Sequence, residues 1–407
     1  MQTRLADWIR DTPRGREADA VLRKCVHCGF CLATCPTYTL LGDELDSPRG
    51  RIYLMKQVLE GAPVTALTQL HLDRCLTCRA CETTCPSGVE YGKLVDIGRA
   101  VVDERVPRPA GDRLKRRFLA SALPSRRLFG AALALGRAFK GLLPASLARR
   151  IPEARAPGAW PAARHARRML LLAGCVQPSL APSINAATAR VLDRVGISLV
   201  EASAAGCCGA VTHHLNYQDE ALAYVRANID AWWPHVEQGA EAIVITASGC
   251  GTMVADYGHL LAADPAYAAR AARISSLARD VSEVVAAERA ALSVHLKRRG
   301  ATRVAFHAPC SLQHGLGIRG VVESILADAG MDLTLVPDAH LCCGSAGTYS
   351  ILQPELSSQL LRDKVRALES GKPALVATAN IGCLTHIQSG TDTPVRHWIE
   401  VLDQLLL

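Results

Sequence analysis

Eight of the sixteen cysteines fall in two arrays of one design. The first runs Cys25, Cys28, Cys31, Cys35 and Pro36; the second runs Cys75, Cys78, Cys81, Cys85 and Pro86. Both obey C-x2-C-x2-C-x3-C-P. A two-residue spacer lets successive thiolates face one compact centre, and the proline ends the turn and redirects the chain. Thiolates at this spacing are the ligands of iron–sulfur clusters, and in the paired form the fourth cysteine of each array serves the other array's cluster. The expected ligand sets are therefore Cys25, Cys28, Cys31 and Cys85 for one [4Fe-4S] cluster, and Cys35, Cys75, Cys78 and Cys81 for the other. Paired Cys-x-x-Cys units can also bind zinc, but the third cysteine and the proline of each array belong to the iron–sulfur pattern. Four thiolates around a cluster leave negative charge. Arg23, Lys24, Arg74 and Arg79 stand close enough in sequence to offset it and so raise the reduction potential.

The other eight cysteines form an internal repeat. Cys175 is followed by Cys207, Cys208, Gly209 and Cys250; Cys310 is followed by Cys342, Cys343, Gly344 and Cys383. The single cysteine precedes the pair by 32 positions in both copies, and the closing intervals are 42 and 40. Adjacent cysteines bond to each other with difficulty. They can face a common centre where the backbone turns sharply, which Gly206, Gly209 and Gly344 would permit. All eight are candidate metal or redox residues, with burial as small apolar side chains the alternative. His213, His214, His307 and His314 lie near these loops, and each alone reads as a structural histidine.

Each repeat needs the same elements to position its thiols. An apolar strand runs into the first cysteine (Met169 to Leu172, and Arg303 to His307). A helix follows (Ile184 to Val195, and Val321 to Ala329), then a short strand and the Cys-Cys-Gly loop. A long amphipathic helix comes next (about Asp219 to Gln238, and Pro354 to Ser370), and another apolar strand (Ala242 to Thr246, and Ala374 to Thr378) delivers the last cysteine. Strands alternating with helices imply a parallel α/β unit whose loops gather at the carboxyl edge of the sheet. The fold class is thus α+β multidomain: a mainly helical two-cluster domain of ferredoxin type, then two α/β cysteine-rich repeats related by pseudo-symmetry. The expected boundaries are 1–103 for the cluster domain, 104–166 for a basic helical linker, 167–295 for the first repeat and 296–407 for the second.

The chain has 407 residues, 49% of them hydrophobic, ample for several cores, and a formal net charge of +8. From Arg105 to Arg168 there are sixteen Lys or Arg against only Asp112 and Glu153. This basic stretch is mixed with Leu, Ala, Phe and Pro, which suits an anionic membrane surface or a partner subunit better than nucleic acid, with a solvated linker the equal alternative. No secretory signal is evident and no apolar run is long enough to span a bilayer. The expectation is a cytoplasmic protein held peripherally at the inner membrane. Gly315, Gly317 and Gly320 match a dinucleotide fingerprint, but the first repeat has no glycine at the matching place and Cys310 intrudes before the turn, so the match is discounted.

The doubled Cys-Cys-Gly pattern resembles the cysteine-rich domains shared with heterodisulfide reductase subunits. There the closing element is often a Cys-x-x-Cys pair; here Met253 and His386 stand where the second cysteine would be. Over its whole length the chain resembles the iron–sulfur subunits of bacterial glycolate oxidases. The resemblance rests on CVHCGFCLATCPTY (25–38), LGDELDSPRGRIYLMKQVLEG (41–61), LDRCLTCRACETTCPSG (72–88), NIDAWWP (228–234), HLCCGSAGTYS (340–350) and TANIGC (378–383). It implies an oxidoreductase complex in which flavin-binding partner subunits, carrying FAD, oxidise glycolate to glyoxylate. This chain would carry no catalytic residue of its own and would pass electrons toward a respiratory-chain acceptor such as quinone. The equivalent cluster subunit of a lactate or anaerobic glycerol 3-phosphate dehydrogenase is one alternative. Disulfide or quinone reduction by the repeats themselves is another. Whether the repeats hold additional iron–sulfur clusters stays open at this point.

Overall fold

The computed structural model describes residues 1–142, 144, 151–297 and 302–407. Part of the basic stretch, residues 143 and 145–150, therefore lies outside the described residues. The chain divides into two compact units. The first comprises Met1–Arg117 and His340–Lys364, the second Phe118–Ala339 and Val365–Leu407.

The first unit is helical. Its main helices are Pro13–Lys24, Pro48–Leu59, Ala66–Asp73 and Tyr91–Arg105. Two of them start in the same way: the Thr12 and Ser47 hydroxyls accept from the Gly15 and Gly50 amides, and a proline follows at the first helical position. Leu22, Met55, Leu59, Leu94 and Val95 interlock with no exposure at all, and Cys25, Cys75 and Cys81 sit against this core. The arrays thus grow out of the packed ends of helices, which fixes their backbones.

The second unit holds two parallel four-stranded sheets. Strands β1 (Arg167–Leu172), β2 (Ile197–Glu201), β3 (Ile243–Ile245) and β4 (Ala278–Asp280) are ordered β2-β1-β3-β4. Strands β5 (Arg303–His307), β6 (Asp332–Leu333), β7 (Leu375–Thr378) and β8 (Val395–His397) are ordered β6-β5-β7-β8. The two orders are the same, so the cysteine repeat is also a repeat of topology. Parallel neighbours need helical crossovers. Ser183–Arg194 and Val321–Asp328 make the first crossover of each copy, and Gln218–Glu237 and Pro354–Glu369 the second. The strands that close each sheet, β4 and β8, are three residues each and were not expected from the sequence. The copies are joined by Arg190 to Asp403 (2.6 Å), by His397 Nε2 to the Thr246 carbonyl (2.9 Å) and by the Ser248 and Ser311 hydroxyls (2.7 Å).

Between the array region and the first sheet lie the helices Ala110–Ala122 and Arg126–Ala138. No residue of Arg126–Ala138 is buried, and Leu128 and Leu135 are about three-fifths exposed, at 58% and 61%. Among the described residues, no helix is long and apolar enough to cross a membrane.

Candidate metal centres

The two array loops share one backbone path. The residues two and four places after the first cysteine take left-handed conformations in both: His27 (φ 55°) and Gly29 (φ 84°), then Thr77 (φ 53°) and Arg79 (φ 58°). Such turns aim amides at the sulfur inside the loop. Cys25 accepts from the His27 amide and Cys75 from the Thr77 amide at 3.4 Å.

Cys25, Cys28, Cys31 and Cys85 line one recess, walled by Val26, Phe30, Ile52 and Val89; Cys81 also reaches it. Burial, with the neighbouring Cys85 and Cys28, pushes the Cys25 thiol up. Burial pushes Cys31 up to about 11, helped by Cys25, Cys35 and Cys28. Cys81 is raised by burial and then by Cys78, Cys75 and Cys35. The structure therefore gathers Cys25, Cys28, Cys31 and Cys85 on one side, and brings Cys35, Cys75, Cys78 and Cys81 within electrostatic range of one another on the other. Among the described residues, which include all sixteen cysteines, no disulfide is formed. Buried thiols this close cannot all ionise unless a cation joins them, and metal binding supplies that cation and releases their protons. The donor set fits iron–sulfur clusters.

The charges nearest these sulfurs are only in part those expected. The exposed Arg23 pairs with Asp19 and the exposed Lys24 with Glu90, and Arg74 points to Asp46 (2.8 Å). Two buried arginines, Arg51 and Arg99, stand beside Cys35 and Cys75. Arg51 reaches Asp46, Thr37, the His71 carbonyl and, at 3.9 Å, Cys35 Sγ. Arg99 donates to the carbonyls of Leu72 and Cys75 and to the Thr77 hydroxyl. Tyr91 Oη lies 3.5 Å from Cys75 Sγ. None of these had a signal in the cysteine spacing; the one hint was arginine at positions that the helical period turns inward.

In the first repeat the four thiols form a chain. Cys175 is hydrogen-bonded to Cys207, Cys207 to Cys208 and Cys208 to Cys250. The bond to Cys207, followed by burial, raises Cys175 well above the ordinary thiol range. Asn228 holds the loop by donating to the Cys207 carbonyl (2.7 Å) and accepting from the Gly206 amide, and Tyr257 donates to the Cys208 carbonyl (2.8 Å). Gly206 keeps an ordinary φ with open space beside it, so its glycine freedom is not used, contrary to expectation.

Gly209 and Gly344 do use theirs, at φ 92° and 89°. Each sends its amide to the first sulfur of its pair, Cys207 or Cys342, at 3.4 Å. In the second repeat, Cys310 and Cys383 follow β5 and β7 in the second unit. Cys342 and Cys343 belong to the first unit with both arrays, and there Tyr349 Oη donates to the Arg74 carbonyl.

Comparison with known proteins agrees with this division of the cysteines. Residues 21–89 match the 4Fe-4S dicluster domain, and residues 169–255 and 304–388 match the cysteine-rich domain. The glycolate oxidase iron-sulfur subunit of Escherichia coli (strain K12) is 54% identical over 100% of this chain and 99% of its own length. A probable glycolate oxidase iron-sulfur subunit of Bacillus subtilis (strain 168) is 30% identical over 94% of this chain and 92% of its own. Lactate utilization protein A of the same organism is 25% identical over only 58% of this chain, though over 99% of its own. The matched domains mark a protein of iron–sulfur clusters, and the full-length similarity places the chain in the family of glycolate oxidase iron–sulfur subunits.

Proposed function

We propose that this chain is the electron-conducting subunit of a glycolate-oxidising complex. Flavin-bearing partner subunits, with FAD, would oxidise glycolate to glyoxylate, and this chain would relay the electrons toward a respiratory-chain acceptor such as quinone. Cys25, Cys28, Cys31 and Cys85 would hold one [4Fe-4S] cluster, and Cys35, Cys75, Cys78 and Cys81 the other. Such clusters supply reversible one-electron transfer when bound. The observation that carries this reading is the gathering of the eight array thiols into two adjacent groups on one packed helical core.

The contiguous thiols of Cys175, Cys207, Cys208 and Cys250 support a further metal centre in the first repeat. Cys310, Cys342, Cys343 and Cys383 are the corresponding candidates in the second. The division into regions 1–103, 104–166, 167–295 and 296–407 is proposed as the functional one: clusters, membrane contact and two cysteine-rich repeats. The exposed apolar face of Arg126–Ala138, with basic neighbours, supports peripheral attachment to the cytoplasmic side of the inner membrane.

Purification with its flavoprotein partner followed by anaerobic substrate addition tests the proposal. Glycolate should bleach the cluster absorbance and raise a reduced-cluster paramagnetic signal. Reduction by lactate or glycerol 3-phosphate, with glycolate inert, would overturn it.

A further inference from the structure

The charges around the two arrays are unequal. Arg51 and Arg99 are 1% and 8% exposed, and both stand at the site of Cys35, Cys75, Cys78 and Cys81. Arg51 lies within electrostatic reach of Cys75 and Cys35. Arg99 spans the loop itself, from the Leu72 and Cys75 carbonyls to the Thr77 hydroxyl, and each of these hydrogen bonds runs to an uncharged oxygen. Asp73, a carboxylate within its electrostatic reach, is already paired with Arg108 and Arg116. One hydroxyl adds to Arg99, Tyr91 donating to Cys75, whereas Thr37, 3.3 Å from Cys35, donates to the Asp46 carbonyl. Arg51, Arg74 and Arg99 stand here with the carboxylates of Asp46 and Glu82, while Asp73 is held by its own two arginines.

The site of Cys25, Cys28, Cys31 and Cys85 has a different setting. Cys28 is exposed and Cys31 and Cys85 are half-buried. Its nearby side-chain charges come in pairs, Arg49 with Glu44 (2.8 Å) and Lys24 with Glu90 (2.6 Å), both open to solvent. The Met1 ammonium reaches the Cys25 carbonyl at 2.7 Å from a half-buried position. Charges that water screens act weakly, whereas a buried guanidinium acts at low effective dielectric. Extra electron density on a cluster is stabilised by nearby cations and by donors to its sulfurs.

We propose that Arg99, assisted by Arg51 and Tyr91, makes the Cys35, Cys75, Cys78 and Cys81 site the higher-potential of the two centres, giving the relay a fixed direction through this unit. The inference rests on the ligand sets proposed above. One electron leaves the Cys25, Cys28, Cys31 and Cys85 side and arrives on the Cys35, Cys75, Cys78 and Cys81 side, oxidising the first and reducing the second, with no bond made or broken. The flavin of the partner subunit is the reductant. Arg99 is a positioning residue that stabilises the arriving charge beside Cys75, next to the loop of Cys342 and Cys343 in the same unit.

The test is an anaerobic potentiometric titration of the full-length protein followed by paramagnetic resonance. Cys28→Ser and Cys78→Ser mark which reduced signal belongs to which array. Arg99→Gln should shift the midpoint of the Cys78-sensitive signal to lower potential and leave the other in place, while Arg99→Lys should restore it. If Arg99→Gln fails to load clusters, Tyr91→Phe carries the test, with a smaller shift of the same signal in the same direction. A shift confined to the Cys28-sensitive signal, or no shift with both signals at full intensity, would overturn the inference. A wild-type protein lacking two cluster signals would instead sink the ligand assignment.

Discussion

The Tyr349 hydroxyl donates to the carbonyl oxygen of Arg74 at 3.1 Å, fastening the segment that carries Cys342 and Cys343 to the residue just before Cys75. Burial is the main force pushing the Tyr349 phenol up, followed by Cys75. The phenol is therefore neutral and serves as a donor. Tyr349→Phe removes one neutral hydrogen bond, which should cost about 1 kcal/mol of stability. It should also speed amide hydrogen exchange through residues 340–353 more than elsewhere in the unit, as read by mass spectrometry.

Gly344 should tolerate no side chain. An added Cβ would stand 2.7 Å from the Ser357 carbonyl oxygen and 2.9 Å from Leu360 Cβ, at a φ that L-residues disfavour. Gly344→Ala should therefore destabilise by at least about 1–2 kcal/mol. Gly206→Ala, with open space and an ordinary φ, should be near neutral. Chemical denaturation of the two variants side by side checks the contrast.

Arg51 and Asp46 form an ion pair with 1% and 0% side-chain exposure. Removing one partner leaves a buried charge, so Arg51→Met should cost about 3–5 kcal/mol. Asp46 also receives Arg74 and His71, so the double variant Arg51→Met with Asp46→Asn should recover part of that loss without recovering all of it. A double-mutant cycle in denaturant measures the coupling.

Two buried titrating groups of the second unit should pull stability in opposite directions with pH. Burial raises Asp280 to about 6, and its Oδ2 has no hydrogen-bond partner. The folded state then holds the proton more tightly than the unfolded chain, so this group's contribution falls as pH rises from about 4 to about 6. Burial holds His397 well below the ordinary histidine range, with Ile399 donating to Nδ1 and Nε2 facing the Thr246 carbonyl. Its contribution is present above about pH 6.5 and is lost as pH falls. Asp280→Asn keeps the helix cap and should stabilise most at neutral pH. His397→Gln should flatten the loss on acidification. Melting temperatures at pH 5 and pH 7.5 separate the two.

Much of this was legible from spacing alone because cluster ligation and parallel-sheet topology are written locally. The strand Arg303–His307 falls where its apolar run predicts, and the helix Pro354–Glu369 differs from expectation by one residue. What the sequence did not show depends on the third dimension. Arg51 and Arg99 look like ordinary helical arginines until their neighbours are known, and three-residue strands such as β4 and β8 carry no period to read. The grouping of His340–Lys364 with the arrays has no local signature either, since Tyr349 and Arg74 are 275 positions apart.

The proposed membrane contact through the basic stretch has its own test. Arg116 is buried and paired with Asp73 and Asp112, so it is committed to the fold and a poor probe of binding. Leu128→Glu with Leu135→Glu alters the exposed face of Arg126–Ala138 instead. The double variant should lose flotation with vesicles containing anionic lipid while keeping its cluster content. Unchanged flotation would count against this face as a membrane contact.

The central claim, that the arrays hold two electron-carrying clusters, is tested most directly by counting iron and acid-labile sulfide in the anaerobically purified full-length protein. The ligand sets predict at least about eight of each per chain, falling by about four when Cys78 is replaced by Ala. Zinc in place of iron, or iron for a single cluster unaffected by Cys78→Ala, would contradict it.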